Sequence, residues 1–442
     1  MACRPCQAAL AKNRLRIAAL RATFLRATAW NVGWYSPAMR THLAFATVLP
    51  LLAACPASDD DGGNDDSNGT GAEADSVTLA TINVGLAFGY VAEAPARVEP
   101  VINALAGLEA DVVCVQELWV SQNDAGVWNS DVVEQVLAGT AENYPHQYWS
   151  RTVVPDDVVA TGCTVEEAEP LEACAQQFCG DVEPDNLADC ILADCGAEFT
   201  GTSAECQNCM VANLGQPLED IVAACKGAST SGIVYDGHNG LAILSKLPLS
   251  GSAIVELDYA VTSRAVLTAT VETAGGNPVE VMCTHIAADL SSSLEYPSGG
   301  TYAGFAEENA GQMAAILELA SAASPDASLA LLGDFNHGPA TSEGGPELPE
   351  VYQTVLDAGY VDPIAETDVT CTFCDENTLN VGDGRGGVII DHVYLKTEGT
   401  VVDTARILDQ TVPVVAADGT EQTLHLSDHF GVQTTIEFAA AP

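Results

Sequence analysis

An apolar run that stops abruptly in polar residues constrains a chain more than any percentage does. The sharpest such run here is Leu329 to Leu332, followed by Gly333-Asp334-Phe335-Asn336-His337-Gly338. It reads as a buried strand that delivers two polar side chains to its open end. Asp334 and Asn336 are two residues apart and so point to the same side. A carboxylate there can bind a metal ion or steer a water, and an amide can contact an anionic oxygen. A lone Gly-Asp-x-Asn is equally well a polar turn after a strand, so the weight rests on how the other strands end.

They end the same way. A strand over 77–84 reaches Asn83 near its end, and one over 111–117 ends in Glu117. Between them, Val98, Val101, Ile102, Leu105 and Leu108 have the spacing of an amphipathic helix over 97–109. Strand, helix and strand make a βαβ-like unit that could bring Asn83 and Glu117 to one rim of a sheet. Further strands are expected at 241–245, 253–257, 265–271 and 279–286, the last carrying Cys283-Thr284-His285. Helices are expected over 305–322 and near 351–358. Strands at 388–396 and 431–438 carry or follow Ile390-Asp391-His392 and Leu426-Ser427-Asp428-His429. Many strands, fewer helices and mixed connections predict an α/β molecule of two sheets packed face to face with helices outside.

Residues 163–225 interrupt this pattern and hold eight of the 15 cysteines. Cys163, Cys179 and Cys195 are evenly spaced, as are Cys174, Cys190 and Cys206, and the same step separates Cys209 from Cys225. An internal repeat is present. Pro170, Pro184 and Gly201-Thr202-Ser203 are expected to break it into short helices, and an even count of cysteines predicts disulfides between them. Zinc is the rival reading, on Cys206-Gln207-Asn208-Cys209, but the second close pair that such a site needs is missing.

Seven of the 15 basic residues precede Cys55, and no acid does. The remainder sets eight basic residues against 61 acidic ones, a formal charge of −53. Such a surface repels a bulk polyanion unless cations mediate. Residues 39–55 have a basic start, a short apolar core and small residues before a cysteine, the pattern of an export signal. Leu52-Ala53-Ala54-Cys55 resembles the lipobox of bacterial lipoproteins. That resemblance implies cleavage before Cys55, a lipid on its thiol and an exported protein held at the cell envelope, with Met39 as the starting residue. A plain secretory signal is the alternative. Residues 56–76 are Asp, Gly, Ser and Asn with almost nothing apolar, and read as a disordered acidic tether.

Asn83, Glu117, His285, Asp334, Asn336, Asp391, Asp428 and His429 all stand at the ends of apolar runs. Two or three oxygen donors suit a hard cation. Two histidines supply a base and a charge-stabilising donor, and an aspartate can orient one ring. That set can attack a phosphate ester. The chain resembles the endonuclease/exonuclease/phosphatase family in Thr81-Ile82-Asn83-Val84, Gln116-Glu117, residues 240–246, Thr284-His285, Gly333-Asp334-Phe335-Asn336, Ile390-Asp391-His392 and Ser427-Asp428-His429, in the family's order over 77–438.

The resemblance implies a four-layer α/β sandwich of two mixed sheets flanked by helices, with 163–225 as an inserted cysteine-rich helical module. It implies a catalytic Mg²⁺, or Ca²⁺ or Mn²⁺ in its place, at Glu117 with Asn83 beside it and Asp428 near. It implies Asp334 acting on the attacking water, Asn336 and His285 on the phosphate, and His429 held by Asp391 as base or stabiliser. Arg264 is a further phosphate candidate, with a structural salt bridge as its alternative. Two positions depart from related sequences: Gly85, where some family nucleases carry a carboxylate, and Asn309, where an arginine is common. The implied function is a metal-dependent phosphodiesterase anchored at a membrane. Phospholipid head groups, as in the sphingomyelinase branch, and nucleic acid, as in the deoxyribonucleases, are the competing substrates. A non-catalytic surface lipoprotein is the alternative from another class.

Overall fold

The computed structural model describes residues 75–439, apart from 88–90, 122–131, 150–161, 181–189, 192–193, 213–217, 228–236, 239, 261, 292–294, 298–300, 325–326, 381–386 and 416–418. The signal, Cys55 and the tether up to residue 74 lie outside the described residues.

Fifteen strands are described. They are β1 (Asp75–Asn83), β2 (Val112–Gln116), β3 (Val120–Ser121), β4 (His146–Trp149), β5 (Gly237–His238), β6 (Ala242–Ser245), β7 (Ser250–Leu257) and β8 (Arg264–Glu272), then β9 (Pro278–His285), β10 (Ser328–Asp334), β11 (Asp391–Lys396), β12 (Thr400–Ile407), β13 (Thr411–Val415), β14 (Glu421–His425) and β15 (Gly431–Phe438). The helices are α1 (Ala94–Ala106), α2 (Val132–Thr140), α3 (Val165–Cys179), α4 (Gly196–Thr200), α5 (Ala204–Ala212), α6 (Leu218–Cys225), α7 (Phe305–Ser321) and α8 (Pro349–Asp357).

One sheet runs β12-β15-β1-β2-β6-β4 and the other β11-β10-β9-β8-β7. Only β1 with β2 and β10 with β9 pair in parallel within these sheets. Both sheets are apolar on both faces, and the layers follow from that. Val77, Leu79, Val112 and Ile243 of the first sheet meet Leu267, Val281, Leu332 and Val393 of the second in one core. On the first sheet's other face, Ile82, Val113 and Leu244 pack under Val101 and Leu105 of α1 and Val133 and Val136 of α2. On the second sheet's other face, Met282, Leu331 and Tyr394 pack under Met313 and Ile316 of α7 and Val351 and Val355 of α8. This is the expected four-layer sandwich. Among the described residues no ladder joins the two sheets. A disulfide does: Cys114 of β2 bonds Cys283 of β9 across the central core.

The first strand begins two residues earlier than expected. The Asp75 carboxylate is used there, accepting from Gly275 N, Asn277 Nδ2 and Thr273 Oγ1 at the turn between β8 and β9. In the cysteine-rich module, Cys163–Cys206, Cys174–Cys195, Cys179–Cys190 and Cys209–Cys225 join its short helices. With Cys114–Cys283 and Cys371–Cys374 this describes six disulfides, which belong to an oxidising compartment. One expectation fails. Pro170 lies inside α3 and does not break it. A capping box, with Thr164 and Glu167 exchanging side-chain and backbone hydrogen bonds, secures the helix start ahead of the proline.

Candidate active site

Strand register gathers the expected residues. Parallel pairing sets Asp334 beside His285, and antiparallel pairing sets Asp334 beside Asp391, so three site residues form one row across the second sheet. On the first sheet Asn83 stands beside Gln116, which puts Glu117 next to it at the rim. The segment 427–429 enters the same rim just before β15.

The two rims touch. Asn83 Nδ2 donates to Glu117 Oε1 at 3.0 Å and to Asp334 Oδ2 at 3.0 Å, bridging the sheets. Its Oδ1 accepts the Gly85 N–H at 3.0 Å. Asn83 therefore presents its nitrogen to both carboxylates and orients them. Asp334 Oδ2 lies 3.4 Å from His285 Nε2 and 3.8 Å from His429 Nε2. His429 Nδ1 lies 2.9 Å from Asp391 Oδ2. Asn336 Nδ2 is 3.2 Å from His285 Nε2, and the Asn336 N–H donates to Asp334 Oδ1 at 3.0 Å. The Ser427 hydroxyl stands 2.6 Å from Asn83 O and 3.1 Å from Asp428 Oδ1, tying the Asp428 turn to β1.

The local backbone is strained where it matters. Glu117 and Asn336 both take positive φ, 59° and 50°; asparagine tolerates this conformation, whereas a glutamate rarely adopts it. Such strain is retained where surrounding structure fixes it, most often at functional sites. Gly85 also has positive φ, and a Cβ there would collide with Asp428 Oδ1. The departure at Gly85 therefore goes with a left-handed backbone and with Asp428 filling the space beside it.

Charges are unevenly compensated. Burial pushes the Glu117 carboxyl up to about 7, with Asp428 adding to the shift and His429 and Asn83 opposing it. Burial pushes Asp334 up to about 6, helped by Asp391 and opposed by His429. Burial works against charge on His429, yet Asp391, Asp334 and Asp428 hold its imidazolium well above the usual histidine range. Burial drives His285 well below that range, aided by the charges of Arg264 and His429. The surroundings thus favour the cation on His429 and the neutral ring on His285. Asp334, Asp391 and His429 offer atoms all within 4.8 Å of one another, but the His429–Asp391 hydrogen bond already uses two of them. The carboxylate excess lies on the side of Glu117 and Asp428. Glu117 and Asp428 are hard oxygen donors, a set suited to a hard divalent cation.

Arg264 is buried behind this row. It donates from Nη1 to His285 O at 3.3 Å, and its Nε has no partner among the described residues. It supports the His285 backbone, and the salt bridge offered as its alternative is absent among the described residues.

Sequence reasoning missed several supports. Arg97 is fully buried and donates to Val84 O, Gly85 O, Leu426 O and Ala92 O, clamping the two turns that carry Asn83 and Asp428. A basic residue on the apolar face of α1, in a chain with so few, was the signal. Asn309 donates to Ala287 O and Phe335 O and contacts His337, holding the turns after His285 and Asp334.

The profile of the Endonuclease/Exonuclease/phosphatase family matches residues 80–429. The chain belongs to this family. Its members are phosphoester hydrolases, and the chain is a hydrolase of that class. Among curated proteins none matches in sequence. Sphingomyelinase C from Streptomyces griseocarneus is 17% identical, over 81% of this chain and 99% of that one, with a TM-score of 0.45. Beta toxin from Staphylococcus aureus, solved with bound magnesium ions, is 14% identical over 81% and 99%, with a TM-score of 0.47. An endonuclease/exonuclease/phosphatase family protein from Leptotrichia buccalis is 12% identical over 82% and 100%, with a TM-score of 0.45.

Proposed function

We propose that the protein is a Mg²⁺-dependent phosphodiesterase, exported and held at a membrane through a lipid on Cys55, that acts on phospholipid head groups. The observation that carries the chemistry is the row His285–Asp334–Asp391 facing Glu117, with His429 closing it. The observation that favours a lipid substrate is charge. A body of −53 repels a nucleic-acid polyanion, whereas a single phosphodiester at a lipid surface carries one charge. No helix among the described residues is long and apolar enough to cross a membrane.

Glu117 and Asp428 would hold the ion, which supplies charge stabilisation at the phosphate and leaving oxygen. Asn83 orients Glu117 and Asp334. His285, neutral, donates an N–H to a non-bridging oxygen together with Asn336. Asp391, Asp334 and Asp428 favour the imidazolium of His429, which suits that ring to stabilising charge and makes Asp334 the better base for the attacking water. A carboxylate raised to about 6 suits that task near neutral pH. His429, fixed by Asp391, stabilises the charge that builds on the phosphate.

The test offers sphingomyelin vesicles, duplex DNA and bis(p-nitrophenyl) phosphate to the protein, with Mg²⁺ or with EDTA. Mg²⁺-dependent head-group release faster than DNA cleavage is expected. DNA cleavage without head-group release would transfer the reading to a nuclease. No hydrolysis of any phosphodiester would overturn it.

A further inference from the structure

The segment after Thr370 reads Cys371-Thr372-Phe373-Cys374, and a Cys371–Cys374 disulfide closes it. It lies in no strand, yet Thr372 is fully buried. The Thr372 Oγ1 accepts the backbone N–H groups of Ile390 and Asp391, both at 3.1 Å. A hydroxyl oxygen has two lone pairs, so both bonds form together. The Thr372 N–H donates to Val388 O at 2.8 Å, and its carbonyl accepts the Phe430 N–H at 2.8 Å. One residue thus grips Asp391 on one side and the neighbour of His429 on the other. Asp391 belongs to the second sheet and Phe430 leads into the first, and no ladder joins those sheets among the described residues.

The same segment adds further holds. The Phe373 ring meets His429 edge-on, with centroids 5.0 Å apart. Asn377 Nδ2 donates to Ser427 O at 2.8 Å, and Asn380 Nδ2 to Asp428 O at 2.6 Å. Arg406 seats the turn from outside, donating to Cys371 O at 3.3 Å while lying over the Phe430 ring. The cysteines themselves pack on Phe430.

We propose that Thr372, locked in place by the Cys371–Cys374 disulfide, is the positioning residue that sets the distance between Asp391 and His429 across the two sheets. This rests on the reading of that pair as catalytic. It touches no reacting atom and acts through the two backbones it joins.

Thr372→Val keeps the shape and removes the acceptor, and Thr372→Ser keeps the acceptor. Cys371→Ala/Cys374→Ala removes the lock. Each is measured with Mg²⁺ on bis(p-nitrophenyl) phosphate for kcat and KM, and by proton NMR for the downfield Nδ1–H resonance of His429. Thr372→Val should lower kcat roughly tenfold with KM within about twofold, since small misplacements of a catalytic group cost that much or more. It should also weaken the downfield resonance. Thr372→Ser should restore both, and the double cysteine variant should follow Thr372→Val. Wild-type kcat and resonance in Thr372→Val, or equal loss in Thr372→Ser, overturns the proposal. Should Thr372→Val fail to fold, unchanged kcat and resonance in the cysteine variant overturns it instead. The resonance needs no substrate. Full activity in His429→Ala, by contrast, strikes the catalytic reading and leaves the positioning measurement intact.

Discussion

Replacing Glu117 with Gln should stabilise the metal-free protein, and the size can be worked out. Burial and Asp428 lift the Glu117 carboxyl from its ordinary 4.5 to about 7. A raised acid means that the folded state holds its proton more tightly than the unfolded chain. Stability is then lost as pH climbs from the unfolded value through the folded one, and the full cost is present above about 7. At 1.36 kcal/mol per unit the ceiling is about 3 kcal/mol. Partial exposure of 14% and sharing of the repulsion with Asp428 and Asp334 bring it to about 2 kcal/mol. Gln keeps the oxygen that accepts from Asn83 and removes the charge. With an unfolding entropy of ~2 cal/mol/K per residue, a domain of this size should gain roughly 3 °C. The assay is thermal unfolding of wild type and Glu117→Gln in EDTA at pH 5 and pH 8, then with Mg²⁺. The variant should melt higher only at pH 8, and Mg²⁺ should raise wild type but not the variant. A variant that melts lower than wild type at pH 8 in EDTA, or gains as much from Mg²⁺, would refute the argument that uncompensated carboxylates await a cation at this rim.

Chelation should abolish hydrolysis and Mg²⁺ restore it; Asp334→Asn and His429→Ala should each cost on the order of 10² or more in kcat, with the double variant little worse than the worse single. Full activity of His429→Ala would falsify this site. Cys55→Ser should release the protein from the membranes of a Gram-negative host or leave its signal uncleaved; unchanged mature mass and partitioning would remove the anchor. Cys114→Ala/Cys283→Ala should destabilise the fold by about 3–5 kcal/mol, since the bond closes a very long loop, while kcat on a soluble phosphodiester stays within about threefold. An unchanged denaturation midpoint would show that the bond between the sheets adds nothing.

What the sequence revealed was what strands carry locally. Asn83, Glu117, His285, Asp334 and Asp391 end apolar runs, and a strand end is where a buried sheet must hand its polar side chains to solvent or to one another. The βαβ-like unit, α7, α8 and the strands on either side of the Asp334 turn follow from periodicity at 2.0 and 3.6 residues, though the helix expected over 97–109 is Ala94–Ala106 and the strand expected over 388–396 begins only at Asp391. The short or half-exposed elements were less legible. β12, β13 and β14 alternate apolar with exposed residues in no clean run, and β4 is four half-buried residues. Pro170 was misjudged because a proline breaks a helix only where local bonds cannot compensate for the one it removes.

The supports were illegible for a different reason. Arg97, Asn309 and Thr372 bind backbone carbonyls or amides, and a backbone group has no identity in a sequence. Thr372 meets Asp391 only because a four-residue disulfide turn falls where two sheets end together, and Cys114 meets Cys283 only because β2 and β9 face each other across the core. In both cases the partners belong to different sheets. The site is built where two sheets that share no hydrogen-bonded ladder among the described residues come closest, so its precision depends on side chains that cross the gap. Within a sheet, register alone places His285, Asp334 and Asp391 in a row. Between sheets, placement falls to Asn83, which donates to both rims, and to Thr372, which ties Asp391 to the approach of His429, while Cys114–Cys283 beneath them holds the sheets together without setting the site. The residues that perform the chemistry can therefore be read one strand at a time, whereas those that make it geometrically possible can be read only in pairs.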